Sequence, residues 1–220
     1  MGIGRDRYLP VNRQDMERRG WDEVDFIFIS GDAYVDHPSF ANAVIPRVLE
    51  KRGYRVGIIA QPDWRNLDDF LVMGRPRLAA LVSAGNLDSM LSHFTAAKRP
   101  RSDDPYSPGG KAGRKPQRAT VVYCNRAREA WKDIPLIIGG VEASLRRFAH
   151  YDYWSDSVRR SILVDSKADL LVFGMGERPV IEIADALSAG TPVQEIRDVR
   201  GTCYRSKEGG WPSGSAVLPS

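Results

Sequence analysis

Three short stretches concentrate groups that could bind a ligand. Residues 28–40, FISGDAYVDHPSF, set Asp32, Tyr34, Asp36 and His37 directly after an apolar run. Residues 139–154, GGVEASLRRFAHYDYW, follow another apolar run with Gly139 and Gly140, then Glu142, Arg146, His150 and Asp152. Residues 174–179, GMGERP, carry Gly174, Gly176 and Glu177, and Ser83 and Gly85 close a fourth apolar run. Carboxylates, imidazoles and guanidinium groups recognise polar ligands, and glycines let a ligand or a neighbouring backbone approach closely. Each group also has a plainer reading. GGVEAS could be a tight strand-to-helix turn, His37 a hydrogen-bonded loop residue, and Glu177 either a helix-terminal charge or a contact for a ligand hydroxyl. The density of aromatic and charged residues in RRFAHYDYW implies an interface, whether for recognition or for domain packing.

Familiar catalytic spacings are missing. His37, His93 and His150 form no H-E-x-x-H pair, Cys124 and Cys203 form no C-x-x-C, and no G-x-S-x-G occurs. GMGERP has only part of a G-x-G-x-x-G loop. No residue is therefore assigned a catalytic role or a metal.

The positioning elements follow from the apolar runs. DFIFIS (25–30), YRVGIIA (54–60), RLAALVSAG (77–85), IPLIIGG (134–140) and DLLVFG (169–174) read as strands buried on both faces. Helices are expected over 38–53, bent or shortened by Pro46, in a short piece within 61–74, and over 86–98 with Asn86 as cap. Further helices are expected at the end of 118–133, within 153–168 and over 177–190. Strands alternating with helices predict an α/β fold: a doubly wound, mostly parallel, five-stranded Rossmann-like sheet of order 2-1-3-4-5. Ligands of such sheets bind beyond the carboxyl ends of the strands, where the polar stretches fall. Residues 1–190 are expected to form this domain and 191–220 a linker, with a possible strand at 198–205.

The charge is unevenly spread. The 220 residues sum to +4, yet residues 98–118 alone hold seven Lys/Arg against two Asp. This Pro/Gly/Ser-rich segment predicts a long exposed basic loop. It could neutralise nucleic-acid phosphates, but only Tyr106 offers stacking, so a solvated loop is preferred and no nucleic-acid partner is expected. No apolar run is long enough for a membrane span, and the N-terminal stretch has neither a signal-peptide core nor a myristoylation pattern. With two distant cysteines, the expected compartment is a reducing cytoplasm.

The stretch from LPVNRQDMERRGWDEVDFIFISGDAYVDHPSF to IIAQPDW closely resembles the start of the YgiQ family of radical S-adenosylmethionine proteins (UPF0313). IIGGVEASLRRFAHYDYWSDSVRRSILVDSKADLLVFGMGER and DVRGTCY resemble the same family, so the likeness covers about residues 8–205. The resemblance implies a parent enzyme of unknown reaction and substrate. Its downstream barrel would carry a Cys-x₃-Cys-x₂-Cys motif, a 4Fe–4S cluster and S-adenosylmethionine. This chain has no such motif, so no cofactor and no radical chemistry are expected of it alone. Its implied role is an accessory or substrate-side domain partnered by that barrel.

The layout is also similar to cobalamin-binding domains, whose signature is D-x-H-x-x-G after the first strand, S-x-L after the third and G-G after the fourth. With His37 in register, Val35 replaces the Asp and Phe40 the Gly. Ser83 fits, Gly85 replaces the Leu, and Gly139 and Gly140 fit the G-G. These departures argue against cobalamin. A small-ligand module for cobalamin or a nucleotide stands as the alternative reading.

Overall fold

The computed structural model describes residues 8–206. The first seven residues and the Gly/Pro/Ser-rich end, with their targeting and linker readings, lie outside the described residues. After α1 (Arg13–Arg18), the chain alternates β1 (Phe26–Ser30), α2 (Ala41–Lys51), β2 (Val56–Ala60), α3 (Asp68–Leu71), β3 (Ala79–Ser83) and α4 (Ser89–His93). Then come α5 (Ala119–Ala130), β4 (Leu136–Gly139), α6 (Gly140–Leu145), β5 (His150–Asp152), β6 (Ser157–Arg159) and α7 (Ile162–Asp165). The described chain closes with β7 (Leu170–Val172), α8 (Glu177–Ser188) and β8 (Thr202–Tyr204).

The main sheet has the order β2-β1-β3-β4-β7-β8. Its first five strands are parallel and are the five expected from the sequence, in the expected order. The sixth, β8, pairs antiparallel with β7. It falls within 198–205, read as a possible strand inside the stretch expected to be linker, and Val193 and Ile196 of the same stretch are buried against the sheet's helical layer. β7 would otherwise offer an open edge, and a short covering strand removes it.

Alternate residues of each strand serve opposite faces. Ile27, Ile29 and Val82 pack under α3, α5 and α7, while Phe26, Phe28 and Leu81 pack under α2 and α8. Each fully buried apolar side chain of this size contributes about 1.5–3 kcal/mol, so two such layers hold the sheet.

Several local expectations are corrected. α2 starts after Phe40, beyond Pro38, and continues through Pro46. α4 is a five-residue turn capped by Asp88, whose carboxylate accepts from the Met90 N–H, rather than a helix capped by Asn86. Within 153–168 only α7 is helical; RRFAHYDYW ends in the β5–β6 hairpin, a two-stranded sheet of its own.

The largest correction concerns residues 98–118. Lys98, Arg99, Arg101, Lys111 and Arg114 are exposed, as expected of a basic loop, but the segment is also a strap tied down at buried points. Asp104, Ser107 and Lys115 are buried, Lys115 at 1% exposure. The Ala33 N–H donates to the Tyr106 carbonyl, and the Gln61 side chain donates to Ser107 Oγ. Composition misled because polar residues can pack when each finds a partner.

Candidate functional site

At the carboxyl ends of β1, β3, β4 and β7 lies a cleft of about 230 Å³. Phe28, Leu81, Ile137 and Val172 form its floor, and Val44, Ile45 and Val180 its helical walls. α2 and α8 pack against each other on this face and leave the upper ends of β3 and β4 open. The mouth is polar: Ser83, Gly139, Gly140, Gly174, Gly176 and Glu177 line it. Gly140 turns with φ +83°, and a Cβ there would stand 2.6 Å from Ser83 Oγ, so a side chain would close the approach between these turns. Ser83 Oγ accepts from the Gly85 N–H at 3.1 Å.

Two residues give the mouth its character. Phe40, the residue before α2, lines the cleft and stacks edge-on against Tyr106 of the strap, with centroids 6.1 Å apart, and against His37 at 6.4 Å. Glu177 is the first residue of α8, where the helix dipole favours a carboxylate. Among the described residues its carboxylate makes no hydrogen bond or ion pair.

The remaining predicted residues do not line this cleft. Asp32 is buried, and its carboxylate accepts from Lys115 Nζ at 2.7 Å and from the Asn86 N–H at 2.6 Å. Burial pushes the Asp32 carboxyl up, with the Lys115 charge pulling the other way. The Tyr34 hydroxyl accepts from the Leu9 N–H, and Asp36 pairs with Arg47 at 2.5 Å. Both border a separate, open hollow against the N-terminal segment. His37 is exposed, its Nδ1 accepting from the Ser39 N–H at 3.1 Å.

Glu142 is a structural carboxylate. It accepts from Ser89 Oγ and from the Ser89 and Thr120 N–H groups, and so joins the first turns of α4 and α5. Asp152 is held by Arg118, with Arg118 Nη2 at 2.8 Å, and by Ser155. Burial alone would raise the Asp152 carboxyl, but Arg118 and Ser155 outweigh it and hold the group well below the ordinary range. Arg146 pairs with Asp88. His150 Nδ1 lies 3.1 Å from the Phe148 carbonyl. These residues anchor the hairpin instead of facing the cleft.

Sequence reading singled out Phe40 but missed Lys115 and Arg118. Nothing local distinguishes Lys115 from its six basic neighbours in the strap. Only contact with Asp32, 83 positions away, marks it.

The hairpin and the turns beside the cleft carry an exposed apolar surface. Leu145, Phe148, Tyr151, Val158 and Met175 are 61–82% exposed. Tyr151 and Val158 are directly opposed in the hairpin, and the Gly174 N–H donates to Ser144 Oγ, joining the turns after β4 and β7.

The sequence matches the family described as Radical SAM N-terminal over residues 8–220. The chain belongs to the Radical SAM N-terminal family. A UPF0313 protein of Clostridium botulinum (strain Okra / Type B1) is 57% identical over 201 residues, covering 91% of this chain and 31% of the relative. The UPF0313 protein YgiQ of Escherichia coli (strain K12) is 59% identical over 206 residues, covering 93% and 28%. The chain thus spans less than a third of the length of these relatives. Among solved structures, the radical S-adenosylmethionine methyltransferase TsrM of Kitasatospora setae, with tryptophan substrate and a SAM analogue bound, matches with a TM-score of 0.55 and 17% identity. The match covers 83% of this chain and 28% of TsrM. TsrM has also been solved with cobalamin and a 4Fe–4S cluster bound. At that identity the likeness concerns the fold. Among the described residues of this Radical SAM N-terminal chain, no helix is long and apolar enough to cross a membrane.

Proposed function

We propose that this chain is the N-terminal accessory domain of a radical S-adenosylmethionine enzyme, and that its strand-end rim packs against the downstream catalytic domain. The observation that carries the proposal is the exposed apolar cluster of Leu145, Phe148, Tyr151, Val158 and Met175. Several large apolar side chains left exposed on one hairpin and on the joined turns after β4 and β7 mark an interaction site. More than two thirds of the length of the relatives lies outside the matched region, which supplies a partner in the same polypeptide. Radical chemistry belongs to that partner: two cysteines cannot hold a three-cysteine cluster, and burial pushes the thiols of both Cys124 and Cys203 up, away from the thiolate form.

The test uses the full-length parent with a protease site placed in residues 207–220. After cleavage the two pieces should co-elute in gel filtration, and Phe148→Asp with Tyr151→Asp should separate them. Separation of the unmutated pieces, or co-elution of the mutated ones, overturns the proposal.

Cobalamin, with which TsrM has been solved, would have to be held here without the histidine-type signature. Phe40 stands at the mouth, braced by Tyr106 and His37, where the cobalamin signature has glycine. The cleft is also smaller than the roughly 300–1,000 Å³ that hold drug-sized ligands. A nucleic-acid role gains little from the strap: Lys115 and Arg118 are engaged with Asp32 and Asp152, and the exposed basic residues of the strap are accompanied within it by a single aromatic, Tyr106, which is itself packed against Phe40.

A further inference from the structure

The docking face carries a cation that its apolar cluster does not account for. Five arginines lie in or against the hairpin and the turn before it. Arg118 holds Asp152, Arg146 holds Asp88, and Arg159 and Arg160 share Asp165. Arg147 is the one of the five without a carboxylate partner among the described residues. Its Cζ lies 5.0 Å from the ring centroids of both Phe148 and Phe173. Its Nη1 donates to the Ser144 carbonyl at 2.7 Å, and the Ser161 hydroxyl donates to its own backbone carbonyl at 2.7 Å. The residue is thus positioned before any partner arrives, which lowers the entropy cost of a further contact. A guanidinium offers a rigid fork of N–H donors, and the Ser144 carbonyl engages only one nitrogen of it.

The neighbours of Arg147 decide what must meet it. Leu145 and Phe148 belong to the exposed apolar cluster, and the Arg147 guanidinium lies against the Phe148 ring. A surface that covers these side chains takes the guanidinium out of water as well. A covered charge without a counter-charge is strongly destabilising. A neutral acceptor would satisfy one donor and leave the charge, whereas a carboxylate matches the fork with two parallel bonds and compensates it. A second cation stands at the tip of the hairpin. Lys98 Nζ lies 4.6 Å from the centroid of the Tyr153 ring, whose hydroxyl donates to the Ala96 carbonyl at 2.7 Å. Lys98 likewise has no carboxylate partner among the described residues; Asp156, at the same tip, accepts from the Tyr151 hydroxyl.

We propose that docking is anchored by a carboxylate of the downstream part of the same polypeptide, paired with Arg147, and that this part presents further acidic groups to Lys98. The inference rests on the docking reading above and names the chemistry of the surface that docks. The apolar cluster supplies buried area, and Arg147 fixes the register in which that area is covered.

The test uses the same full-length parent cleaved within residues 207–220. Arg147→Gln keeps hydrogen-bond donors and removes the charge. It should weaken the association of the two pieces about 10- to 100-fold, the effect of losing a charge-assisted contact, and flatten its dependence on salt. An unaltered circular dichroism spectrum and Tm report that the variant is folded. Carbodiimide coupling, which joins a carboxylate directly to an amine, identifies the partner group. On the uncleaved parent it should link Lys98 to an Asp or Glu of the downstream part, and Arg147→Lys should add a link from position 147. Pieces that separate without any substitution remove the docking reading, and this proposal with it. Pieces that stay together while Arg147→Gln binds as tightly as the unmutated chain overturn this proposal alone. So does the absence of any link from position 147 to the downstream part, the outcome expected if Arg147 meets a free anion or water instead.

Discussion

Lys115 shows how a single residue can decide the state of a loop. Its ammonium is fully buried and donates to Asp32 Oδ1 and Ser92 Oγ, while its carbonyl faces His93 Nε2 at 2.7 Å. Removing one partner of a buried pair leaves the other charge without compensation, whereas removing both is far milder. Lys115→Met should therefore cost about 3–5 kcal/mol in chemical denaturation. Adding Asp32→Asn to that variant should recover much of the loss. If the double variant is as unstable as the single one, the pair is not what holds the strap. The same residue marks where charge counting fell short: the most basic segment of the chain keeps Lys98, Arg99, Arg101, Lys111 and Arg114 exposed but contributes one buried cation.

Elements define the site by where they stop. β4 ends in Gly139 and β7 gives way to Gly174, Met175 and Gly176, so two glycine-bearing turns flank one opening. β8 closes the other side of β7, and the chain before it buries Val193 and Ile196. A domain ending at residue 190 would lose both side chains and expose the β7 edge. A chain truncated there should lose about 3–6 kcal/mol from the two side chains alone, read as a lower Tm in calorimetry than that of the 220-residue chain. An unchanged Tm would place the boundary at 190 after all. The helical pattern over 86–98 failed at this scale because α4 is cut short by the strap, which takes over its C-terminal surroundings: the Arg101 N–H donates to the His93 carbonyl.

The whole molecule is held by arginine–carboxylate contacts between distant elements, and these set its response to acid. Asp25, Asp152, Asp165 and Asp185 all sit below their ordinary pKa. For Asp25, Asp152 and Asp165 burial pushes upward first and arginine contacts prevail; for Asp185 the Arg52 hydrogen bond leads. A carboxyl depressed in the folded state adds stability above its ordinary value of 3.8, and loses it as pH falls toward the folded value. Asp32, raised by burial, has the opposite sign. Stability should thus be flat near neutrality and fall below about pH 4, with each titrating carboxyl contributing up to about 1.4 kcal/mol per pH unit. Asp152→Asn should flatten that fall while lowering stability at neutral pH. A variant whose acid limb stays as steep as that of the unmutated chain would show that Asp152 is not among the groups responsible.

The five parallel strands, their order and the resemblance to radical S-adenosylmethionine proteins were legible in the residues, because strands buried on both faces must be continuously apolar and few connections suit them. Ser83, Gly139, Gly140, Gly174, Gly176 and Glu177 could be assigned to one edge for the same reason: strand ends in a parallel sheet share a side. Side-chain partners were not legible. Asp32, Glu142 and Asp152 looked like ligand groups, yet each finds its donors among residues up to 83 positions away. Periodicity reports which face of an element is apolar; which polar group meets which depends on the path of the strap and the hairpin, and only the folded chain brings those together.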